Sequence, residues 1–326
     1  MLHDQYNRKI DYVRLSLTDR CNFQCFYCRP RLADKEFFPS GDYLNKEDIR
    51  KLFLVLGKLG VRKVKLTGGE PLLRKDILDI VATLKDNPDL KDVSLTTNGF
   101  FLEKNVHSLK GAGLDRINIS LDSLKPERFN TITQTSSFPR VYNGFIKSLD
   151  VGYSKVKLNV VLMKGYNDDE LFDFLALSQK YPICVRFIEF MPTLRTHSDQ
   201  KKYFFSNEQA LKTIQKRFIL IPESESFQTG PAKLYRVKGA PGNVGFISPL
   251  SRQFCDSCNR VRISAKGDLR LCLFSTQDLN LLSLIRHDQW GALEKVFKSQ
   301  FQVKPLRHEL KTGEIGNVES FILIGG

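Results

Sequence analysis

Tyr12-Val-Arg-Leu-Ser-Leu-Thr-Asp-Arg-Cys-Asn-Phe-Gln-Cys-Phe-Tyr-Cys28 joins a strand-like run to a loop with three cysteines. Tyr12 to Leu17 alternates apolar and polar residues, as a half-buried strand does. Cys21, Cys25 and Cys28 then follow, with three residues in the first gap and two in the second. A structural zinc site wants four ligands, usually in two pairs, and the next histidine along the chain is His107. On a four-iron cubane, three thiolates leave one iron open to a ligand that is not protein. An open iron is what a cluster needs if it performs chemistry rather than only carrying electrons. A partial zinc site, or free buried cysteines, is the competing reading of the spacing.

A chain of 326 residues is long enough for about two domains, or for one large α/β barrel with an appendage. With 41% apolar and 26% charged residues it can bury a full core. No run of eighteen apolar residues occurs and the first ten residues are polar, which predicts neither a membrane span nor a signal peptide, hence a cytosolic protein. In that reducing compartment seven cysteines point to metal or catalysis, not to disulfides. Cys184, in an apolar run of its own, reads as a core residue. The net charge of +14 calls for an anionic partner, either nucleic acid or a polyphosphate small molecule. No arginine-rich arm, zinc-finger spacing or RRM-like aromatic motif accompanies it, so nucleic acid is not expected.

Downstream, strand and helix patterns alternate. Asn45 and Asp48 form a capping-box-like start, Ile49, Leu52, Phe53 and Leu56 give one apolar stripe, and Gly60 closes the helix. Strands are predicted at 63–66, 92–96, 116–120, 155–163 and 184–190, and helices at about 75–84, 103–112, 138–150 and 168–179. Six β/α units predict a parallel sheet curled into an incomplete, laterally open (β/α)6 TIM-like barrel, with its site at the C-terminal ends of the strands. The cysteine loop, Gly68-Gly69, Thr96-Thr97-Asn98-Gly99, Ser120-Leu-Asp122 and Glu189-Phe-Met191 all fall there. Gly68-Gly69 could equally be an ordinary strand-to-helix turn. Beyond about residue 205 the pattern changes to a helix at 207–218, short strands near 234–238 and 244–248, and a final amphipathic helix near 279–300. The expected division is a partial barrel over residues 1–215 and a C-terminal α+β region over residues 216–326.

The C-terminal region carries Cys255-Asp-Ser-Cys258 and, after thirteen intervening residues, Cys272. Three thiolates again suit a cubane with one open iron, here hinting at substrate ligation; structural zinc with an unseen fourth ligand is the alternative. Arg260-Val-Arg262 alternates on a strand, so both guanidiniums face one side, as Arg14 does on the first strand. Forked planar donors suit phosphate oxygens. Neither GxxxxGK[ST] nor GxGxxG occurs, so a nucleotide here is not held by a P-loop or a Rossmann turn.

With Tyr27 before its last cysteine, Cys-x3-Cys-x2-Cys resembles the signature of radical S-adenosylmethionine (AdoMet) enzymes, in which the open iron chelates the methionine part of AdoMet. Gly245-Phe-Ile-Ser-Pro249 and Phe254-Cys-Asp-Ser-Cys-Asn-Arg-Val-Arg262 narrow this: the chain resembles the GTP 3′,8-cyclases of molybdenum-cofactor biosynthesis from about Arg14 to the glycine pair Gly325-Gly326. The resemblance implies two [4Fe-4S] clusters, on Cys21, Cys25 and Cys28 and on Cys255, Cys258 and Cys272. It implies AdoMet held at Tyr27, Gly69, Ser120 and Met191. GTP would be held by Arg14, Lys65, Thr96, Lys157, Arg260, Val261 and Arg262, with Arg260, Arg262, Gly325 and Gly326 serving catalysis. A 5′-deoxyadenosyl radical would take the 3′ hydrogen of the ribose, and the C3′ radical would attack C8 of guanine. The product implied is (8S)-3′,8-cyclo-7,8-dihydroguanosine 5′-triphosphate. The implied partners are an external reductant, a downstream pterin-forming enzyme and a second copy in a homodimer. Two departures stand out: Lys65 occupies a place where arginine is common, keeping charge but losing bidentate geometry, and the tail lacks a methionine often found near the glycine pair. The rivals are a radical AdoMet peptide-modifying enzyme, which would usually carry more C-terminal cysteines, and a zinc-containing nucleic-acid-binding protein.

Overall fold

Asn45 caps the first helix reciprocally with Asp48: its side chain accepts from the Asp48 amide, and the Asp48 carboxylate accepts from the Asn45 amide. Around that helix a computed structural model describes residues 2–28, 43–223, 230–310 and 315–325. The N-terminal part runs β1 (Tyr12–Ser16), α1 (Lys46–Lys58), β2 (Lys63–Thr67), α2 (Ile77–Lys85), β3 (Asp92–Thr97), α3 (Leu102–Gly111) and β4 (Arg116–Ser120). It continues with α4 (Pro126–Thr133), α5 (Phe138–Asp150), β5 (Val156–Leu162), α6 (Leu171–Lys180) and β6 (Cys184–Glu189). The predicted strands are present to within two residues. Helix α4 was not expected; Pro126 at its first turn and Gln134, left-handed at its C-cap with φ 57°, are its local signals.

The rest comprises α7 (Gln200–Tyr203), α8 (Asn207–Gln215), β7 (Leu220–Pro222), β8 (Lys233–Val237), β9 (Asn243–Ile247), β10 (Arg260–Ile263), β11 (Asp268–Arg270), β12 (Leu279–Asn280), α9 (Leu282–Arg286) and α10 (Trp290–Gln302). The single helix expected near 279–300 is broken. Leu279 and Asn280 pair with β11, and Asp288 adopts φ 53° between α9 and α10, a conformation that aspartate tolerates better than most residues.

The strands form one sheet ordered β12-β11-β10-β1-β2-β3-β4-β5-β6-β9-β8-β7. From β10 through β1–β6 to β9 the pairing is parallel throughout. The C-terminal region thus extends the six-stranded barrel sheet at both edges, and β7 and β12 remain as open ends among the described residues. Alternation sorts the side chains. Val13, Leu15, Val64, Leu66, Val93, Leu95, Ile117, Ile119, Leu158, Val160, Val185 and Phe187 are fully buried in one continuous core beneath the helices. Their neighbours Arg14, Lys65, Thr96, Lys157, Asn159 and Arg186 line a cavity on the other face. That side chains from β1 to β6 meet in one space shows how strongly the sheet curls.

Phe187 is completely buried between the rings of Phe174, at 6.1 Å, and Phe246, at 5.9 Å, and so ties β6 to α6 and β9. Phe187→Ala should cost about 3–5 kcal/mol of stability in urea unfolding monitored by circular dichroism.

Candidate active site

The cysteine loop is held by backbone contacts on two sides. From α4, the carbonyls of Thr133 and Ile132 accept from the amides of Gln24 at 3.1 Å and Phe26 at 3.2 Å. From β2, the Gly68-Gly69-Glu70 turn lies directly against residues 18–20: Gly69 N–H donates to the Thr18 carbonyl and Glu70 N–H to the Arg20 carbonyl, both at 2.7 Å. A Cβ on Gly69 would stand 2.1 Å from the Arg20 oxygen, and Gly68 sits at φ 141° with its own Cβ position 2.4 Å from the Thr18 oxygen. The glycine pair is therefore more than a turn: only backbone without side chains fits there.

Glu70, fully buried, accepts from Leu72 N at 3.0 Å, Thr97 Oγ1 at 2.8 Å and Asn98 N at 2.7 Å. It thereby locks the β2 turn to the end of β3. Burial pushes its carboxyl up to about 7 against those three donors. Asn98 reaches back to Cys21 Sγ at 3.8 Å and to Asn22 Oδ1 at 2.9 Å. Tyr27 donates to Asp122 Oδ2 at 2.6 Å, and the other carboxylate oxygen accepts from Val161 N at 2.8 Å; burial lifts Asp122 to about 6.

Cys21, Cys25 and Cys28, with Tyr27, Gly69, Ser120 and Met191, line a cavity of about 320 Å³. Burial, then the neighbouring Cys28, Asp122 and Cys21, raises the Cys25 thiol well above its ordinary value. Three thiolates packed this way need a strongly cationic partner. Among the described residues no three His, Cys, Asp or Glu side chains are grouped to hold a single metal ion. A cubane spreads three thiolates over three irons, which is the donor set this loop offers.

The same cavity is also lined by cations. Parallel register sets Arg262 beside Arg14 and Arg14 beside Lys65; Arg260, Arg116, Lys157 and Arg186 line the same cavity. Burial lowers Arg14, Lys65, Arg186 and Arg262, and the surrounding cations add to the effect. Lys157 is brought down to about 8 by burial and then by Arg186. Among the described residues Lys65, Lys157 and Arg186 have no carboxylate within ion-pair distance. Arg186 donates to Asn118 at 2.7 Å and Asn159 at 2.5 Å, while its buried Nε has no partner. Desolvated cations without acids are stabilised by a bound polyanion.

Gly325 enters the same space. Its carbonyl accepts from Arg14 Nε at 3.2 Å and from Arg262 Nη1 at 2.5 Å, and a Cβ there would meet Thr67 Cγ2 at 2.4 Å. Gly326 lies outside the described residues. Val261 turns its side chain into the core, fully buried, so only its backbone faces the row of arginines.

Cys255, Cys258 and Cys272 lie beside Phe254, Arg260 and Leu273, which line the cavity. Burial opposes ionisation of Cys258, but Arg260 and Lys304 outweigh it and bring the thiol down to about 6; Arg260 donates to its sulfur at 3.6 Å. Such a thiolate is ready to ligate metal.

Sequence reasoning placed Asn98 and Asp122 at the site end of the strands without a role, and passed over Glu70, Arg186, Asn118 and Asn159 as site residues. Arg186 carried a readable signal, a charge inside the apolar run Cys184-Val-Arg-Phe-Ile; the asparagines carried none, because only strand register brings them to it.

The Radical SAM superfamily profile matches residues 15–177, and the Molybdenum Cofactor Synthesis C profile matches residues 183–310. The fold resembles the crystal structure of Streptococcus suis SuiB, with a TM-score of 0.63 at 15% identity, covering 94% of this chain and 69% of that one. The chain belongs to the radical SAM superfamily, whose members carry a [4Fe-4S] cluster and use AdoMet. It is 40% identical to a GTP 3′,8-cyclase of Limosilactobacillus fermentum over 95% of this chain and 92% of the relative. It is 42% identical to one of Clostridium botulinum over 94% of each. Within the superfamily it belongs to the GTP 3′,8-cyclases.

Gly69→Ala should displace the cysteine loop: iron and sulfide bound to the first site and AdoMet affinity should fall at least about tenfold, while far-ultraviolet dichroism stays native. The state of Lys157 gives a pH test. Its ammonium is charged below about 8 and would be held charged by a bound anion, so affinity for GTP should fall as pH rises. Between about pH 7 and pH 9 the loss should be roughly tenfold by calorimetry, and Lys157→Met should flatten the slope.

Proposed function

We propose that this chain converts GTP to (8S)-3′,8-cyclo-7,8-dihydroguanosine 5′-triphosphate, an early step of molybdenum-cofactor biosynthesis. The observation that carries the reading is the shared cavity, lined both by three cysteines and by desolvated cations. Cys21, Cys25 and Cys28 would hold the first cluster, and Tyr27, Gly69, Ser120 and Met191 would hold AdoMet beside it. When bound, the cluster and AdoMet supply the hydrogen-abstracting 5′-deoxyadenosyl radical.

The chain's own residues do the rest. Arg14, Lys65, Lys157, Arg186 and Arg262 neutralise the triphosphate, and Thr96 adds a hydroxyl near the ribose. Lys65 supplies charge as a point donor in line with two arginines, so the neighbouring forks can provide the bidentate geometry it lacks. Arg260 and Arg262 reach from the strand next to Cys255, Cys258 and Cys272, which we assign to a second [4Fe-4S] cluster facing the guanine. Gly325, whose carbonyl caps Arg14 and Arg262, would close the tail over the substrate, and a catalytic part for Gly326 rests on the family resemblance alone. Holding ribose and base in one orientation, away from water, is the protein's contribution to the cyclisation.

On this reading residues 1–215 form the radical AdoMet partial barrel, whose strands also contact substrate, and residues 216–326 the C-terminal cluster and substrate-binding region. The reaction also asks for an external reductant and for a downstream enzyme that builds the pterin, with a homodimer as the working form. Among the described residues no helix is long and apolar enough to cross a membrane.

The decisive experiment uses anaerobically reconstituted protein, dithionite, AdoMet and GTP deuterated at C3′. Deuterium should appear in the 5′-deoxyadenosine, and the cyclised nucleotide should accumulate in step with it. Unlabelled 5′-deoxyadenosine, formed equally without GTP, would overturn the assignment.

A further inference from the structure

The second cysteine set is framed by residues far from it in sequence. Asp4 and Arg8 form a buried ion pair at 2.5 Å, with side chains 0% and 5% exposed. The rest of the Arg8 guanidinium is spent on backbone carbonyls: Nη1 donates to Cys255 at 2.8 Å and Leu306 at 2.9 Å, and Nη2 to Pro305 at 2.8 Å and Lys304 at 3.4 Å. One arginine thus fastens the backbone of a cysteine to the segment that follows α10.

That segment delivers Lys304. The residue is 2% exposed, and its ammonium donates to the carbonyl of Leu271 at 2.5 Å, the residue before Cys272. Burial lowers its ammonium from the ordinary range; of the charged groups facing it, Cys258 and Cys272 oppose that shift and Arg8 and Arg260 add to it. Among the described residues no carboxylate lies within ion-pair distance, since Asp4 is taken by Arg8. A buried ammonium with one carbonyl partner is costly unless negative charge lies close, and a thiolate-ligated cubane is anionic.

We propose that Lys304 is a positioning residue of the second cysteine site, placed by the Asp4–Arg8 pair to offset the negative charge of the cluster bound there. The inference rests on the two-cluster reading above. Lys304 touches no substrate; its role is to hold Cys272 through the Leu271 carbonyl and to favour the more negative, reduced state of the cluster.

The test uses full-length protein in a Cys21→Ser/Cys25→Ser/Cys28→Ser background, so that only the second cluster is observed. Lys304→Met and Lys304→Arg are compared by iron and sulfide content and by a redox titration followed by electron paramagnetic resonance. Lys304→Met should lower the reduced-to-oxidised ratio at fixed potential at least about tenfold, a shift of about 59 mV to more negative potential for one electron. Loss of the cluster from Lys304→Met alone would equally support the assignment. Lys304→Arg should keep both cluster and potential. Unchanged potential and loading in Lys304→Met would overturn the inference, as would equal loss of the cluster in both variants. Failure of the two-cluster reading looks different: the background protein with Lys304 intact would itself bind no cubane, and the inference would fall with it.

Discussion

Pairing of β1 with β10 is the constraint on which the rest of this molecule depends. In that register Arg14 stands beside Arg262 and, through β2, beside Lys65. Without it the arginines of the C-terminal half would have no cavity to face, and the cysteine loop that leaves β1 would not share a cavity with them. The pairing is made by ordinary means. Val13, Leu15, Val261 and Ile263 bury their side chains in the common core, and the same alternation turns the intervening cations inward. Apolar burial on one face supplies the stability that lets the other face hold charges which repel one another.

Much of the barrel was legible from sequence because the alternation of strand and helix is a local signal. The capping box at Asn45, the six strands and α5 follow from periods and caps. The breaks after residue 278 were not legible, because Asp288 in a left-handed conformation and the brief pairing of β12 depend on neighbours rather than on period. Of the site, the cysteines and the arginines of β10 declared themselves by spacing. Glu70 did not, since a buried acid looks in sequence like any surface charge, and Arg186 showed only as a charge inside an apolar run. What sets such charges apart is burial, and that is a property of the assembled fold.

The two cysteine sets occupy electrostatically different settings. Burial and negative neighbours raise Cys25; in the second set burial raises Cys255 as well, but Arg260 and Lys304 lower Cys258. The first loop is shaped by backbone contacts to glycines and to α4; the second is shaped by cations. A site that must admit a zwitterionic ligand and one that must sit beside a polyanion have reason to differ in this way.

The reach of Gly325 to Arg14 spans 311 positions, and that of Arg8 to Cys255 spans 247. During synthesis the strand that carries Arg14 is made early and waits for both. The loop of Cys21, Cys25 and Cys28 can take its shape once α4 and β2 exist, but the basic lining cannot. Synthesis therefore supplies the first cysteine loop with its backbone partners well before the residues that complete the basic lining and the second cysteine set are made.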